Sequence, residues 1–152
     1  MSISSPVKGK EFDVLLKRAV EFHGHLGPFL VLGLRMGLAG IRELNAKRGE
    51  KKLLVTAKLK YSIPFSCAID GLQIATECTI GNKKLRLKNY SGIAANFKLE
   101  DGKQVTVAVN PALFEMLKRQ LPSESVPCEE VRKLARLVAS ISEEKLFTTS
   151  RE

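Results

Sequence analysis

The sequence predicts an α+β fold, an antiparallel sheet packed with helices, as a single domain over residues 1–152. Three observations predict it: apolar residues recur at helical spacing near both ends, alternating segments split by turn residues fill the middle, and no segment repeats another. With 152 residues, 44% of them hydrophobic, the chain can bury a core without staples.

Phe12, Leu15, Leu16, Ala19 and Val20 give Glu11 to Phe22 an amphipathic helical pattern. Gly27-Pro28 then starts a second helix, with proline at the first helical position, where its missing N–H does no harm. That helix runs from Phe29 to about Ala46. Gly33, Gly37 and Gly40 fall near one face of it, and each costs about 1 kcal/mol relative to alanine in an exposed helix. So bare a face predicts close approach of another backbone, within the fold first and across a homodimer axis second.

Leu53 to Lys60 alternates apolar and polar residues over its second half, the pattern of a half-buried strand, and Pro64 closes the strand region. Ser66 is the expected cap of a helix from Cys67 to Thr76, with Ala68, Ile69, Leu72 and Ala75 as its buried stripe. Three strands follow, Leu85 to Tyr90, Ile93 to Glu100 and Lys103 to Asn110, split by Ser91-Gly92 and by the hairpin signal Asp101-Gly102. Asn110-Pro111 reads as a cap and first-turn proline for a helix through Leu113, Phe114 and Leu117, which Pro122 stops. A last helix from Cys128 to Ile141 carries Val131, Leu134, Leu137, Val138 and Ile141. A polar tail follows Phe147, and residues 1–10 and 148–152 are expected to be flexible.

Twenty-five Lys and Arg against 16 Asp and Glu leave a net charge of +9, which suits an acidic partner. The basic residues are nevertheless interleaved with apolar ones, as on solvated faces. With seven Phe, two Tyr, no Trp and no reading motif, a basic nucleic-acid-binding module ranks last among the functions. No apolar run approaches the roughly 18 residues that span a bilayer, and Met1 to Lys10 lacks an apolar signal core, so no membrane partner is expected. Cys67, Cys78 and Cys128 are too few for a disulfide framework and point to the reducing cytoplasm. Cys128, far from the others, reads as buried structural filler.

The chemistry concentrates in His23-Gly24-His25, which holds the chain's only histidines, and in Cys67 and Cys78. Two imidazoles and two thiols suffice to hold a metal ion, and that mixture suits zinc first, with iron or nickel as alternatives, over calcium or magnesium. Residues two apart on a regular helix point roughly 200° apart, so His23 and His25 can share an ion only if the backbone around Gly24 is irregular. Cys67 falls in a first helical turn, where N–H groups and the helix dipole favour a thiolate. Asp70 and Gln73, one and two turns further on, read as an outer-shell acceptor and a cleft donor. Against the metal stands a plain alternative: histidines that satisfy backbone groups and cysteines that fill the core.

Two stretches resemble the FmdE family, named for the FmdE subunit of formylmethanofuran dehydrogenase: Phe22-His-Gly-His-Leu-Gly-Pro-Phe-Leu-Val-Leu-Gly-Leu-Arg-Met-Gly37 and Cys67-Ala-Ile-Asp-Gly-Leu-Gln-Ile-Ala-Thr-Glu-Cys-Thr-Ile-Gly-Asn82. The resemblance implies an α+β core with a cleft that holds the HGH motif and the cysteine-led helix. It also implies His23, His25 and Cys67 as metal ligands, with Cys78 as a fourth or nearby thiol. By the same likeness the chain would be a metal-binding accessory subunit, or a relative of one, in a molybdenum or tungsten formylmethanofuran dehydrogenase complex. A free-standing metalloenzyme with an open coordination position is the alternative. The chain departs from the pattern in having Gly27 where some members have cysteine, and Glu152 is reached without the Cys-rich zinc ribbon that many members append.

Overall fold

The computed structural model describes residues 9–122 and 125–151, so most of the flexible N-terminal stretch expected at 1–10 lies outside the described residues. The elements are α1 (Lys10–His23), α2 (Pro28–Glu43), β1 (Leu54–Lys58), α3 (Cys67–Thr76), β2 (Leu85–Lys88), β3 (Ala94–Lys98), β4 (Gln104–Val109), α4 (Pro111–Gln120), α5 (Cys128–Ser140), α6 (Glu143–Leu146) and β5 (Phe147–Ser150). The class is α+β, as the sequence predicts.

The five strands form one sheet in the order β2-β1-β3-β4-β5. Alternation selects its inner face. Val55 pairs with Phe97, Ala57 with Ala95, Phe97 with Val105 and Ala95 with Val107, and every one of these side chains is buried. The sheet is mixed rather than antiparallel: β1 and β2 run parallel, with Val55 opposite Leu85 and Lys58 opposite Lys88. The physical reason is the helix between them, because a crossover through α3 returns the chain to the same sheet edge in the same direction. The polar tail after Phe147 is likewise a correction. Residues 147–150 add β5 to β4, pairing Phe147 with Val109 and Thr149 with Val107.

Helix α2 is the centre of the molecule. Nearly every residue from Pro28 to Ile41 is buried, including Leu30, Val31, Leu32, Leu34 and Met36, so it has no solvent stripe and packs against helices and sheet together. Its glycine face is used inside the chain. A Cβ on Gly33 would stand 2.0 Å from the Ala68 carbonyl oxygen, one on Gly37 2.5 Å from Ala75 Cβ, and one on Gly40 2.4 Å from the Phe97 ring. From the other side, a Cβ on Gly71 would fall 2.3 Å from the Leu30 carbonyl oxygen and 2.4 Å from the Leu34 nitrogen. Helices α2 and α3 therefore touch backbone to backbone, and this face has no room left for a second copy of the chain.

Arg35 is the charged exception on α2, only 2% exposed. Its Nη1 donates to the carbonyls of Val138 at 2.9 Å and Ile141 at 2.5 Å, which would otherwise end α5 without partners. Two expected caps are absent. Ser66 takes helical dihedrals and makes no side-chain cap bond, because the preceding turn already supplies carbonyls of Pro64 and Phe65 to the N–H groups of Cys67 and Ala68. Asn110 instead turns its amide to the carbonyl of Lys145 at 2.7 Å, tying β4 to α6.

Replacing Gly33 with alanine should lower the unfolding free energy by about 3 kcal/mol, the upper range for forcing extra atoms into a packed interior. Gly81→Ala, whose Cβ would meet nothing nearer than Thr79 Oγ1 at 3.8 Å, should stay within about 0.5 kcal/mol of the parent. Urea denaturation of both variants checks this, and equal midpoints would refute the backbone contact.

Candidate functional site

The α2–α3 contact fixes where the chemistry lies. His23 is the last residue of α1, and Gly24 ends that helix in the left-handed region at φ 109°, with its N–H on the Val20 carbonyl at 2.7 Å. A side chain is strained at that φ, so glycine lets the chain leave the helix there. The irregular stretch expected between the first two helices is present, and it brings the His23 and His25 rings to a centroid separation of 4.7 Å.

Asp70, in the first turn of α3, faces this turn. His23 Nδ1 lies 2.6 Å from Asp70 Oδ2. A carboxylate only accepts, so Nδ1 carries a proton and donates, and Nε2 is the nitrogen whose lone pair a neutral ring leaves open. That Nε2 is buried and has no hydrogen-bond partner among the described residues. Burial, and secondly the neighbouring His23, push the pKa of His25 down, which keeps its ring neutral at pH 7.

His23, His25, Cys67, Asp70 and Gln73 all line one cavity of about 660 Å³. Gln73 is held by the Ile80 N–H, which donates to its Oε1 at 3.0 Å. Cys67 differs from its expectation. Its thiol is pushed up to about 11, chiefly by burial and next by the Asp70 carboxylate, which together outweigh its backbone hydrogen bond. The helix N-terminus alone does not make it a thiolate.

Cys78 is not brought to the others. Helix α3 is ten residues long, about 15 Å, and Cys78 follows its far end, where its buried thiol donates to the Leu53 carbonyl at 3.4 Å. Cys128 is exposed at the start of α5 rather than buried as filler. Among the described residues no group of three or more His, Cys, Asp and Glu side chains stands ready-made to hold a metal ion. The donors that fit one are nonetheless at the cavity: a bare, buried imidazole nitrogen already oriented by a carboxylate, a second neutral imidazole, and a thiol.

Further walls, assigned no site role from the sequence, include Tyr61, Ile63 and Pro64 before α3, Ile80 after it, Leu87 on β2, and Val131 on α5. One signal could have found the first of these, the apolar Tyr61 and Ile63 within a loop that has no helical or strand face of its own to fill.

Comparison with known proteins gives three findings. The family model described as "FmdE, Molybdenum formylmethanofuran dehydrogenase operon" matches residues 22–148. A curated protein of Archaeoglobus fulgidus, named a probable S-adenosyl-L-methionine-binding protein, is 36% identical over 97 residues, or 63% of this chain; the match spans about a quarter, 26%, of that relative's length. A crystal structure from Syntrophus aciditrophicus, of a protein like the FmdE subunit of tungsten formylmethanofuran dehydrogenase, superposes with a TM-score of 0.63 at 19% identity, over 93% of this chain and 71% of that one. At that identity the likeness is one of fold.

With its thiol held near 11, metal-free Cys67 should react with iodoacetamide at pH 8 roughly a hundredfold more slowly than the same thiol in the urea-unfolded chain, since only the thiolate attacks. Mass spectrometry of the labelled peptide reads this. An equal rate in the folded and unfolded chains would remove the burial argument.

Proposed function

The chain belongs to the FmdE family, and from that premise we propose that it is a cytoplasmic, metal-binding relative of the FmdE subunit of formylmethanofuran dehydrogenase that serves as an accessory subunit of a molybdenum or tungsten dehydrogenase complex. The family description and the name of the solved neighbour both support an association with such complexes. The observation that carries the metal reading is the Asp70–His23 pair. It leaves a buried Nε2 with no hydrogen-bond partner among the described residues, and leaving such a group bare costs about 1–3 kcal/mol unless something occupies it.

In this reading His23 holds the ion through Nε2, and His25 and Cys67 complete the set from the same cavity. Asp70 acts behind His23, fixing its tautomer and raising its basicity, as carboxylates do behind ligating histidines. Zinc is the ion that this mixture of nitrogen and sulfur donors favours. Bound there, the ion supplies Lewis acidity and holds the Cys67 thiol in its thiolate form. Cys78, beyond the far end of α3, is left out of the set.

Elemental analysis of the purified protein tests the reading. His23→Ala and Cys67→Ala should each lose the ion, Asp70→Asn should weaken its binding by about 10- to 100-fold, and Cys78→Ala should retain it. Unchanged metal content in both His23→Ala and Cys67→Ala would sink the site.

A further inference from the structure

The cavity's walls identify the kind of molecule it takes. Tyr61, Ile63, Ile80 and Leu87 are 74%, 65%, 49% and 38% exposed, and all four line it. These are four of the nine large apolar side chains that the described surface leaves exposed, gathered at a single opening. Scattered singly, such residues need no explanation; grouped around a concavity, they mark a binding site.

The charges are placed the other way. Although the chain has 25 Lys and Arg, no Lys, Arg or Glu among the described residues lines the cavity. Its ionisable groups are Asp70, already held by His23, together with His23, His25, Cys67 and Tyr61. A phosphate or polycarboxylate would find no cation here beyond the imidazoles. The net charge of +9 therefore belongs to the outer faces and does not describe this ligand.

We infer that the cavity binds an organic molecule with an extended, uncharged apolar body, seated against Tyr61, Ile63, Ile80 and Leu87, whose single polar end reaches His23, His25 and Cys67. This deepens the functional reading above by naming the ligand class of the same site. A volume of about 660 Å³ lies in the range of small-molecule sites, and a few polar groups, here the His–Cys corner with Ser66 and Gln73, in a mostly apolar wall are how such sites set orientation. The same walls also argue against a protein segment as occupant, because the apolar residues converge on a concavity that ends in the His–Cys corner instead of spreading over a flat face.

Straight-chain primary alcohols from butanol to octanol test the inference, titrated into the full chain and followed by two-dimensional amide NMR. Affinity should rise about fourfold per added methylene, the increment expected when each CH₂ leaves water. The shifted amides should cluster at residues 61–63, 65, 66, 80 and 87. Ile63→Asp and Leu87→Asp, at exposed positions that leave the core intact, should weaken octanol binding tenfold or more, while Val14→Asp, exposed on α1 and outside the cavity, should not. Octyl phosphate should bind no tighter than octanol.

Affinity independent of chain length, shifts elsewhere, or an octyl phosphate preference above tenfold would overturn the inference. So would a dimer of the parent that Leu87→Asp dissociates, since the walls would then face a second copy. The same titration on His23→Ala separates the two readings. Loss of metal with the chain-length series intact supports both, and a parent that binds no metal yet keeps the series leaves this inference standing alone.

Discussion

The backbone contact between α2 and α3 is the constraint on which the rest of the structure depends. With Gly33 against the Ala68 carbonyl and Gly71 against the Leu30 carbonyl, the two helices approach as closely as atoms allow, and no side chain can intervene. Because α2 also packs on β3, through Gly40 against the Phe97 ring, the contact places α3 relative to the sheet as well as to its partner helix. The interaction is steric and short-ranged. It tolerates no sliding, so the first turn of α3 is held at a defined distance from the turn that precedes α2.

That placement turns separate motifs into a site. Residues 23–25 come from the end of α1, and Cys67 and Asp70 from the start of α3, 42 positions or more further along the chain. Asp70 takes Nδ1 of His23 and so decides which nitrogen is left for a ligand. Burial and the same carboxylate hold the Cys67 thiol in its protonated form, against the pull of the helix terminus. A positive ion added to this corner would reverse the sign of the electrostatic argument, because it would favour a thiolate next to it. One carboxylate thus orders the imidazole and adds to the burial that keeps the metal-free thiol protonated.

The strand topology shows the limits of reading locally. Periodicity locates β1, β3 and β4 within a residue or two, because each alternates on a half-buried face. Pairing direction is a different property. The parallel alignment of β1 and β2 follows from the α3 crossover returning to the same edge, and no residue in either strand encodes it. Likewise Phe147 to Ser150 has one buried residue and three exposed polar ones, so its strand identity comes from the open edge of β4 rather than from its own pattern.

By itself, the sequence determined the α+β class, the helices led by Pro28, Cys67, Pro111 and Cys128, and the irregular turn at Gly24, and it offered His23, His25, Cys67 and Cys78 as candidate donors. All of these are set by short-range chemistry: side-chain spacing, proline's missing N–H, and glycine's access to positive φ. The tertiary structure decided which candidates meet. It joined Asp70 to His23, left Cys78 at the far end of α3, buried the Cys67 thiol, and assembled loop residues Tyr61, Ile63 and Ile80 with Leu87 of the edge strand into one apolar wall. Those outcomes depend on distances between elements far apart in the chain, and such distances are set only once the glycine faces of α2 and α3 close on each other.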